Sequence, residues 1–277
     1  MPPKIGNVTE AELRSRPVPA STRTYSPIGH GEIIDMVKTQ LVNQGFYTFA
    51  ESYRASKDLD ISIGTYNLIV NDSSLLDDEI GMMIAWRNSY DKTASFKCGI
   101  GGKVLVCDNG MISSDMSAIR KVHRGNIRTA VQSYISDEIT KAAKNMKELF
   151  QFRDEAKQVM LYKKDKALIL GDIFLNYNML TSNQFSVVKR ELENASYVYN
   201  AHVNSAWVLY NHITHALKES HPIRYLEDHK DVYEYFVKEV LSQKIAFNGP
   251  QQEEIKQEVI VKVKEQFEVS NTFGVIF

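Results

Sequence analysis

Cysteine and net charge are both scarce in this chain, which has two cysteines and a net charge of −1 over 277 residues. Two cysteines cannot form a disulfide framework, so we expect a fold held by its hydrophobic core in a reducing compartment. Because the charges nearly balance, only a local basic patch could supply affinity for nucleic acid.

Long apolar stretches are also missing from the sequence. No run approaches the roughly 18 residues that span a bilayer, and residues 1–25 lack the apolar centre of a secretory signal. We therefore expect a soluble, cytoplasmic protein with no membrane partner. Association with a virion remains an alternative location.

The sequence carries no recognisable catalytic signature. Gly99, Gly101 and Gly102 before Lys103 resemble a phosphate loop, but the spacer and the following Ser or Thr are missing, so we interpret them as a hairpin turn. There is no Gly-x-Ser-x-Gly elbow. Five of the seven histidines lie within residues 202–229, and His212 and His215, one helical turn apart, could share a ligand face, but no cysteine lies nearby and no acidic residue has ligand spacing. We expect no cofactor and no metal, and a histidine-dependent metalloenzyme is the least favoured hypothesis.

Composition divides the chain into four parts. Residues 1–27 hold five of the seven prolines, which predicts a flexible arm. Residues 28–152 are predicted to form the core domain and residues 153–248 a helical region. Residues 249–277 then form a C-terminal tail or docking segment.

Hydrophobic periodicity predicts the elements of the core. Apolar residues have helical spacing in residues 30–44, whereas residues 46–53, 60–70 and three short segments within 80–111 are typical of strands. An amphipathic helix of roughly seven turns is predicted from Asn126. The predicted fold class is α+β, with a small, mostly antiparallel sheet of about five strands packed on this long helix and a mainly helical C-terminal half.

Four short segments indicate chain reversals or helix starts. Residues 88–91 and 99–102 are predicted to form tight turns, and Asn109 with Gly110 is the strongest signal for a hairpin reversal. Thr181 and Gln184 have the spacing of a helix capping box.

Basic residues gather where the predicted sheet meets the long helix, and no acidic residue occurs between Met116 and Ser136. We call these residues and the cations of the adjoining strands the basic seam, which comprises Arg87, Lys97, Lys103, Arg120, Lys121, His123, Arg124 and Arg128. The basic seam could bind phosphates while neighbouring aromatic rings stack on bases. A solvated edge that prevents strand pairing is the alternative. The predicted nucleic-acid-binding residues are Arg87, Tyr90, Lys97, Lys103, Arg120, Lys121, His123, Arg124 and Arg128.

Several of these segments resemble a known family in their order and spacing. Residues 87–91, 106–111, 122–123 and 207–214 are similar to a phage- and plasmid-borne family catalogued as a domain of unknown function. The resemblance covers roughly residues 30–220. It marks as structural turn or motif residues Asn88, Asn109, Gly110, Trp207, Asn211 and Thr214.

The element order of that family is similar, at the level of fold, to single-strand annealing proteins of recombination. This similarity implies a homo-oligomer that binds single-stranded DNA in replication or recombination without bond chemistry. The alternative is a virion-associated or host-directed interaction protein, whose sheet edge and termini contact a phage or host protein.

Overall fold

The computed structural model describes residues 5–23, 25–113 and 127–242, and within them the chain is α+β. Six strands form one antiparallel sheet in the order of the sequence, from β1 to β6. The C-terminal half is mostly helical, so the predicted fold class is confirmed. The strands are β1 (Ile5–Val8), β2 (Tyr47–Ser56), β3 (Ile61–Ile69), β4 (Ile80–Ser89), β5 (Lys97–Val104) and β6 (Asn109–Ile112).

Eight α-helices lie in the described ranges. They are α1 (Glu10–Ser15), α2 (His30–Asn43), α3 (Ile127–Thr140), α4 (Ala142–Gln158), α5 (Lys163–Gly171), α6 (Ser182–Glu193), α7 (Ala206–Leu217) and α8 (Tyr225–Tyr235). Helices α5 and α8 each continue into a π-helical turn. None of the helices described is long and apolar enough to cross a membrane.

The two faces of the sheet have different surroundings. On one face Tyr66, Ile84, Trp86 and Ile100 are buried in the main core, which also includes residues of α2, α3 and α4. Successive side chains of a strand point to opposite faces, so the neighbouring positions form the second face. That face carries a small cluster in which Ile63 and Met83 pack with Leu226 of α8. The rest of it is more open.

Part of the predicted N-terminal arm belongs to the sheet. Ile5–Val8 pairs in antiparallel fashion with residues 53–56 of β2, which adds a sixth strand. Helix α1 follows and is tied to α2 by a 2.6 Å ion pair between Arg14 and Asp35. Proline-rich composition therefore did not indicate the pairing of the first strand.

Two turn predictions are wrong. Residues 99–102 lie inside β5, and Asn109 and Gly110 begin β6, whereas the reversal occurs at residues 105–108 with Asp108 at φ 57°. The glycines of β5 serve close packing instead of a turn. A Cβ at Gly102 would come within 2.7 Å of the Ile80 side chain.

The long amphipathic helix is interrupted at Lys141, so the prediction of one continuous helix is wrong. Helices α3 and α4 together span residues 127–158, and a straight helix of that length would be about 48 Å long, whereas the eight residues of β5 span only about 27 Å. The break allows both α3 and α4 to contact β5. The capping box at Thr181 and Gln184 is confirmed at the start of α6.

Candidate functional site

An open cavity of about 370 Å³ lies on the second face of the sheet. Strands β2 to β6, the turn between β5 and β6, the end of α7 and the start of α8 provide its walls. The lining side chains include hydroxyls, an amide and three cations. Those that matter here are Ser52, Arg54, Thr65, Asn67, Lys103, Asp108, Lys218 and Tyr225.

Arg54 joins the sheet to the carboxyl end of α7. Its Nη1 donates a hydrogen bond to the Lys218 carbonyl oxygen at 2.7 Å, and its Nη2 donates to the Ser220 carbonyl oxygen at 3.0 Å. The Lys218 ammonium donates to the Cys107 carbonyl oxygen. Arg54 also lies 5.9 Å from the Tyr225 ring and Lys218 lies 5.6 Å from the Tyr197 ring, and within the described part of the chain neither cation has a carboxylate at ion-pair distance. Their positive charges therefore face the cavity without a carboxylate counter-ion.

Lys103 is the third cation, and it pairs with Asp108 at 2.8 Å. The Asp108 side chain is 69% exposed, so this pair contributes little stability and can exchange partners at low cost. Glu51 also lines the cavity, but it pairs at 2.8 Å with Lys38 of α2. Burial lowers the pKa of Lys218, and an anion beside its ammonium would favour the charged form.

Hydroxyl and amide groups form the strand side of the cavity. Ser52 and Thr65 stand opposite each other on β2 and β3, with their hydroxyl oxygens 2.7 Å apart. Asn67 is two residues further along β3 and lies on the same face. This row can donate and accept hydrogen bonds along the edge of a planar ligand.

Exposed apolar side chains lie on the sheet beyond the cavity. Tyr47 is 50% exposed and stands opposite Ile69, which is 49% exposed and two residues from Asn67. Phe49 occupies a bulge in β2 and is 60% exposed. Aromatic rings on an open sheet are the feature on which unpaired nucleobases stack.

Two predicted contact residues lie next to this face but are already paired. Arg87 is buried, and its guanidinium donates to Glu227 of α8 at 2.7 Å and to the carbonyl of Ile223. Lys97 lies opposite Arg87 and pairs with the other oxygen of Glu227 at 2.6 Å. Burial would raise the pKa of Glu227, but hydrogen bonds from both cations hold it below its usual value. The trio connects α8 to the sheet.

Tyr90 and Asn88 lie in a buried cluster around His30. The Tyr90 hydroxyl accepts a 2.8 Å hydrogen bond from the His30 backbone N–H, and the two rings stack at 3.9 Å. Asn88 Nδ2 donates to the Ile28 carbonyl oxygen at 3.0 Å. Burial thus removes the ring of Tyr90 from contact with a ligand.

The remaining members of the basic seam are separated from this cluster. Lys103 lines the cavity, whereas Arg128 lies on α3 and pairs with Glu32 of α2. The described members therefore occupy several places. Outside the described residues lie Arg120, Lys121, His123 and Arg124.

The motif residues of β6 and α7 meet at one buried junction. Asn109 Nδ2 donates to the Asn211 carbonyl oxygen at 2.8 Å, and Asn211 Nδ2 donates to the Trp207 carbonyl oxygen at 2.9 Å. Thr214 donates to the Asn211 carbonyl oxygen at 3.3 Å. A Cβ at Gly110 would come within 2.9 Å of the Tyr225 hydroxyl. These contacts attach α7 and α8 to the last strand and so form one wall of the cavity.

The histidine-rich segment, residues 202–229, does not bring together a set of metal ligands among the described residues. Glu191 lies between His212 and His215 at 3.7 and 3.8 Å, and burial lowers the pKa of His212 to about 4. Among the residues with described positions, no group of three or more His, Cys, Asp or Glu side chains could hold a metal ion. Cys98 and Cys107 are both buried, which raises the pKa of each thiol.

Sequence reasoning missed Arg54, Lys218, Tyr47 and Phe49. A partial signal was present, because Ser52 and Arg54 alternate with Tyr53 and Ala55 in the pattern of a strand with one open face. The contribution of Lys218 carried no such signal, since it depends on where the end of α7 meets the sheet.

Comparison with known families adds one finding to this geometry. The profile of the domain of unknown function DUF932 matches residues 20–236, which is most of the chain. No match to this chain was found among the curated proteins or among the solved structures. The protein therefore belongs to the DUF932 family, which is defined by a domain of unknown function.

Proposed function

We propose that this protein binds single-stranded DNA on the open face of its sheet and acts in phage or plasmid replication or recombination. The role is of the annealing type and requires no bond chemistry. It would be carried out in the cytoplasm of the host by several copies assembled along the strand. The observation that carries the proposal is the position of exposed Tyr47 and Phe49 on the sheet, next to a cavity with three cations.

Side chains that could contact phosphates and side chains that could stack on bases both occur in this part of the sheet. Arg54, Lys103 and Lys218 can contact the backbone, and contacts of this kind supply most of the affinity of sequence-independent binding. The aromatic rings of Tyr47 and Phe49 can stack on any base. A duplex keeps its bases stacked inside, so stacking on these rings favours an unpaired strand.

The test is fluorescence anisotropy with a labelled oligonucleotide, single-stranded or paired, over a range of salt concentrations. If all three cavity cations engage phosphates, the slope of log affinity against log salt is about −2 per protomer, since each contributes about −0.7 on a single strand. Single-stranded DNA is expected to bind more tightly than the duplex. Absence of binding at low salt, or a slope near zero, would overturn the proposal.

A double variant separates stacking from charge. Replacing Tyr47 and Phe49 by alanine removes two exposed rings, and each base that loses a stacking partner costs about 1–3 kcal/mol of binding. The matched control is Tyr177→Ala, a residue of similar exposure beside α5. Unchanged binding by the double variant would show that the two rings do not stack on bases. Absence of DNA binding by the parent protein favours the alternative, in which this apolar patch contacts a phage or host protein.

A further inference from the structure

The cavity has features of a ligand site beyond those of a general basic surface. Its volume of about 370 Å³ lies in the range of small-molecule sites, roughly 300–1,000 Å³. A phosphate group by itself would leave most of that space empty. The shape therefore favours a larger phosphorylated ligand.

Arg54 and Lys218 are held in place and still have hydrogen-bond donors to spare. Guanidinium has five N–H donors and ammonium has three. Carbonyl oxygens of Lys218 and Ser220 take two donors of Arg54, and the carbonyl oxygen of Cys107 takes one donor of Lys218. The free donors can bind an anion with little loss of side-chain entropy, because the contacts to the main chain already restrict both groups.

Neither acidic residue of the cavity forms an ion pair with Arg54 or Lys218. Asp108 is paired with Lys103, and Glu51 is paired with Lys38. Arg54 and Lys218, which have no carboxylate partner among the described residues, therefore define one end of the cavity, while Ser52, Thr65 and Asn67 line its strand side. The arrangement places an anion site beside a row of neutral hydrogen-bonding groups.

We infer that this cavity holds one phosphorylated nucleotide unit, with its phosphate at Arg54 and Lys218 and its nucleoside along Ser52, Thr65 and Asn67. The inference rests on the proposed function and deepens it, since the unit would belong to the bound strand. The asparagine amide and the two hydroxyls would then contact the sugar or the base edge. They provide a physical basis for a preference among bases at this one position.

The inference is tested by isothermal titration calorimetry of the full chain with four ligands. These are deoxyadenosine 5′-monophosphate, deoxycytidine 5′-monophosphate, deoxyadenosine and inorganic phosphate. Both monophosphates are expected to bind, and the nucleoside to bind at least about tenfold more weakly because it lacks the charge-assisted contacts. Binding of inorganic phosphate as tight as that of the nucleotides would overturn the nucleoside part of the inference. Absence of nucleotide binding would overturn all of it.

Variants of Lys218 identify the site. Lys218→Gln keeps a long polar side chain and is expected to weaken nucleotide binding by about tenfold, while Lys218→Arg restores most of it. Lys147→Gln is the control, since Lys147 is exposed on α4 on the other side of the sheet. Equal effects of Lys218→Gln and Lys147→Gln would overturn the assignment. Thermal unfolding of each variant shows whether the fold is retained.

The outcomes separate this inference from the proposed function. If oligonucleotides bind with the expected salt slope but monophosphates do not, the strand-binding proposal stands and the nucleotide subsite is rejected. If monophosphates bind through Lys218 but oligonucleotides do not, the subsite stands and the proposed function is rejected. A monophosphate that displaces a bound oligonucleotide supports both.

Discussion

Glu227 of α8 lies 2.7 Å from the guanidinium of Arg87, a residue of β4 that is 140 positions earlier in the chain. The Arg87 side chain is only 3% exposed, so the carboxylate neutralises a cation that water hardly reaches. Lys97 binds the second oxygen of the same carboxylate. This pairing assigns two cations of the basic seam to the attachment of α8 instead of to a ligand.

Glu227→Gln is therefore expected to destabilise the protein without weakening nucleotide binding. Removing one partner of a fully buried ion pair costs about 3–5 kcal/mol, and Glu227 is 28% exposed, so we expect roughly 1–3 kcal/mol here. Urea unfolding measures the change. Glu148→Gln is the control, because Glu148 forms an exposed pair with Lys144 and its loss should cost less than about 0.5 kcal/mol. Equal losses in the two variants would contradict the role of Glu227.

Gly64 of β3 is expected to tolerate no side chain. A Cβ there would lie 2.5 Å from the ring of Trp86, which is fully buried, so Gly64→Ala should destabilise by about 1–3 kcal/mol or more. Gly171 ends α5 with nothing within 4 Å, so Gly171→Ala should stabilise by up to about 1 kcal/mol. Thermal unfolding checks both changes, and opposite signs are the expected result.

Acid is expected to destabilise the protein through its buried histidines. Burial lowers the pKa of His30 and of His212 from 6.5 to about 4, and that of His229 to about 3. Above pH 6.5 these rings are neutral in both states, and between pH 6.5 and pH 4 only the unfolded chain takes up protons. Stability therefore falls as the pH falls through this window, by roughly 3 kcal/mol for His30.

The contribution of one histidine can be measured directly. His30→Gln removes one titrating group. The free energy of unfolding that is lost between pH 6.5 and pH 4 should therefore be smaller in the variant by the contribution of His30, whatever the variant's stability at pH 7. Urea unfolding at a series of pH values gives both slopes. The same slope in the variant and the parent protein would show that His30 is not protonated selectively in the unfolded state.

The junction between β6 and α7 gives a fourth prediction. Asn109→Ala removes the donor to the Asn211 carbonyl oxygen in a fully buried place, which should cost about 1–3 kcal/mol of unfolding free energy. Asn176→Ala is the control, since Asn176 is exposed and its side-chain amide donates a hydrogen bond to Asp172, four residues earlier. A change within about 0.5 kcal/mol is expected there. Similar values for the two variants would mean that the junction contributes little.

Local signals in the chain predicted the elements well. The spacing of apolar residues predicted helix α2 and the strands after it. The cap at Thr181 was predicted because its side chain can accept a hydrogen bond from the backbone N–H of Gln184, three residues later. Glycine was harder to interpret, because the absence of a Cβ suits both a turn and close packing between layers. In β5 the second use applies, and only the positions of Ile80 and α4 reveal it.

The amino-acid sequence alone was sufficient for the α+β class, the antiparallel strands and the helical second half, because hydrophobic period and caps act over a few residues. The site depends on contacts between distant parts of the chain. Whether a cation is neutralised depends on the position of a distant carboxylate such as Glu227 in the folded protein. A cluster of basic residues in the sequence does not indicate that position. Folding thus paired Arg87 and Lys97 with a carboxylate, while Arg54 and Lys218 came together in the cavity, where their partners among the described residues are carbonyl oxygens and aromatic rings.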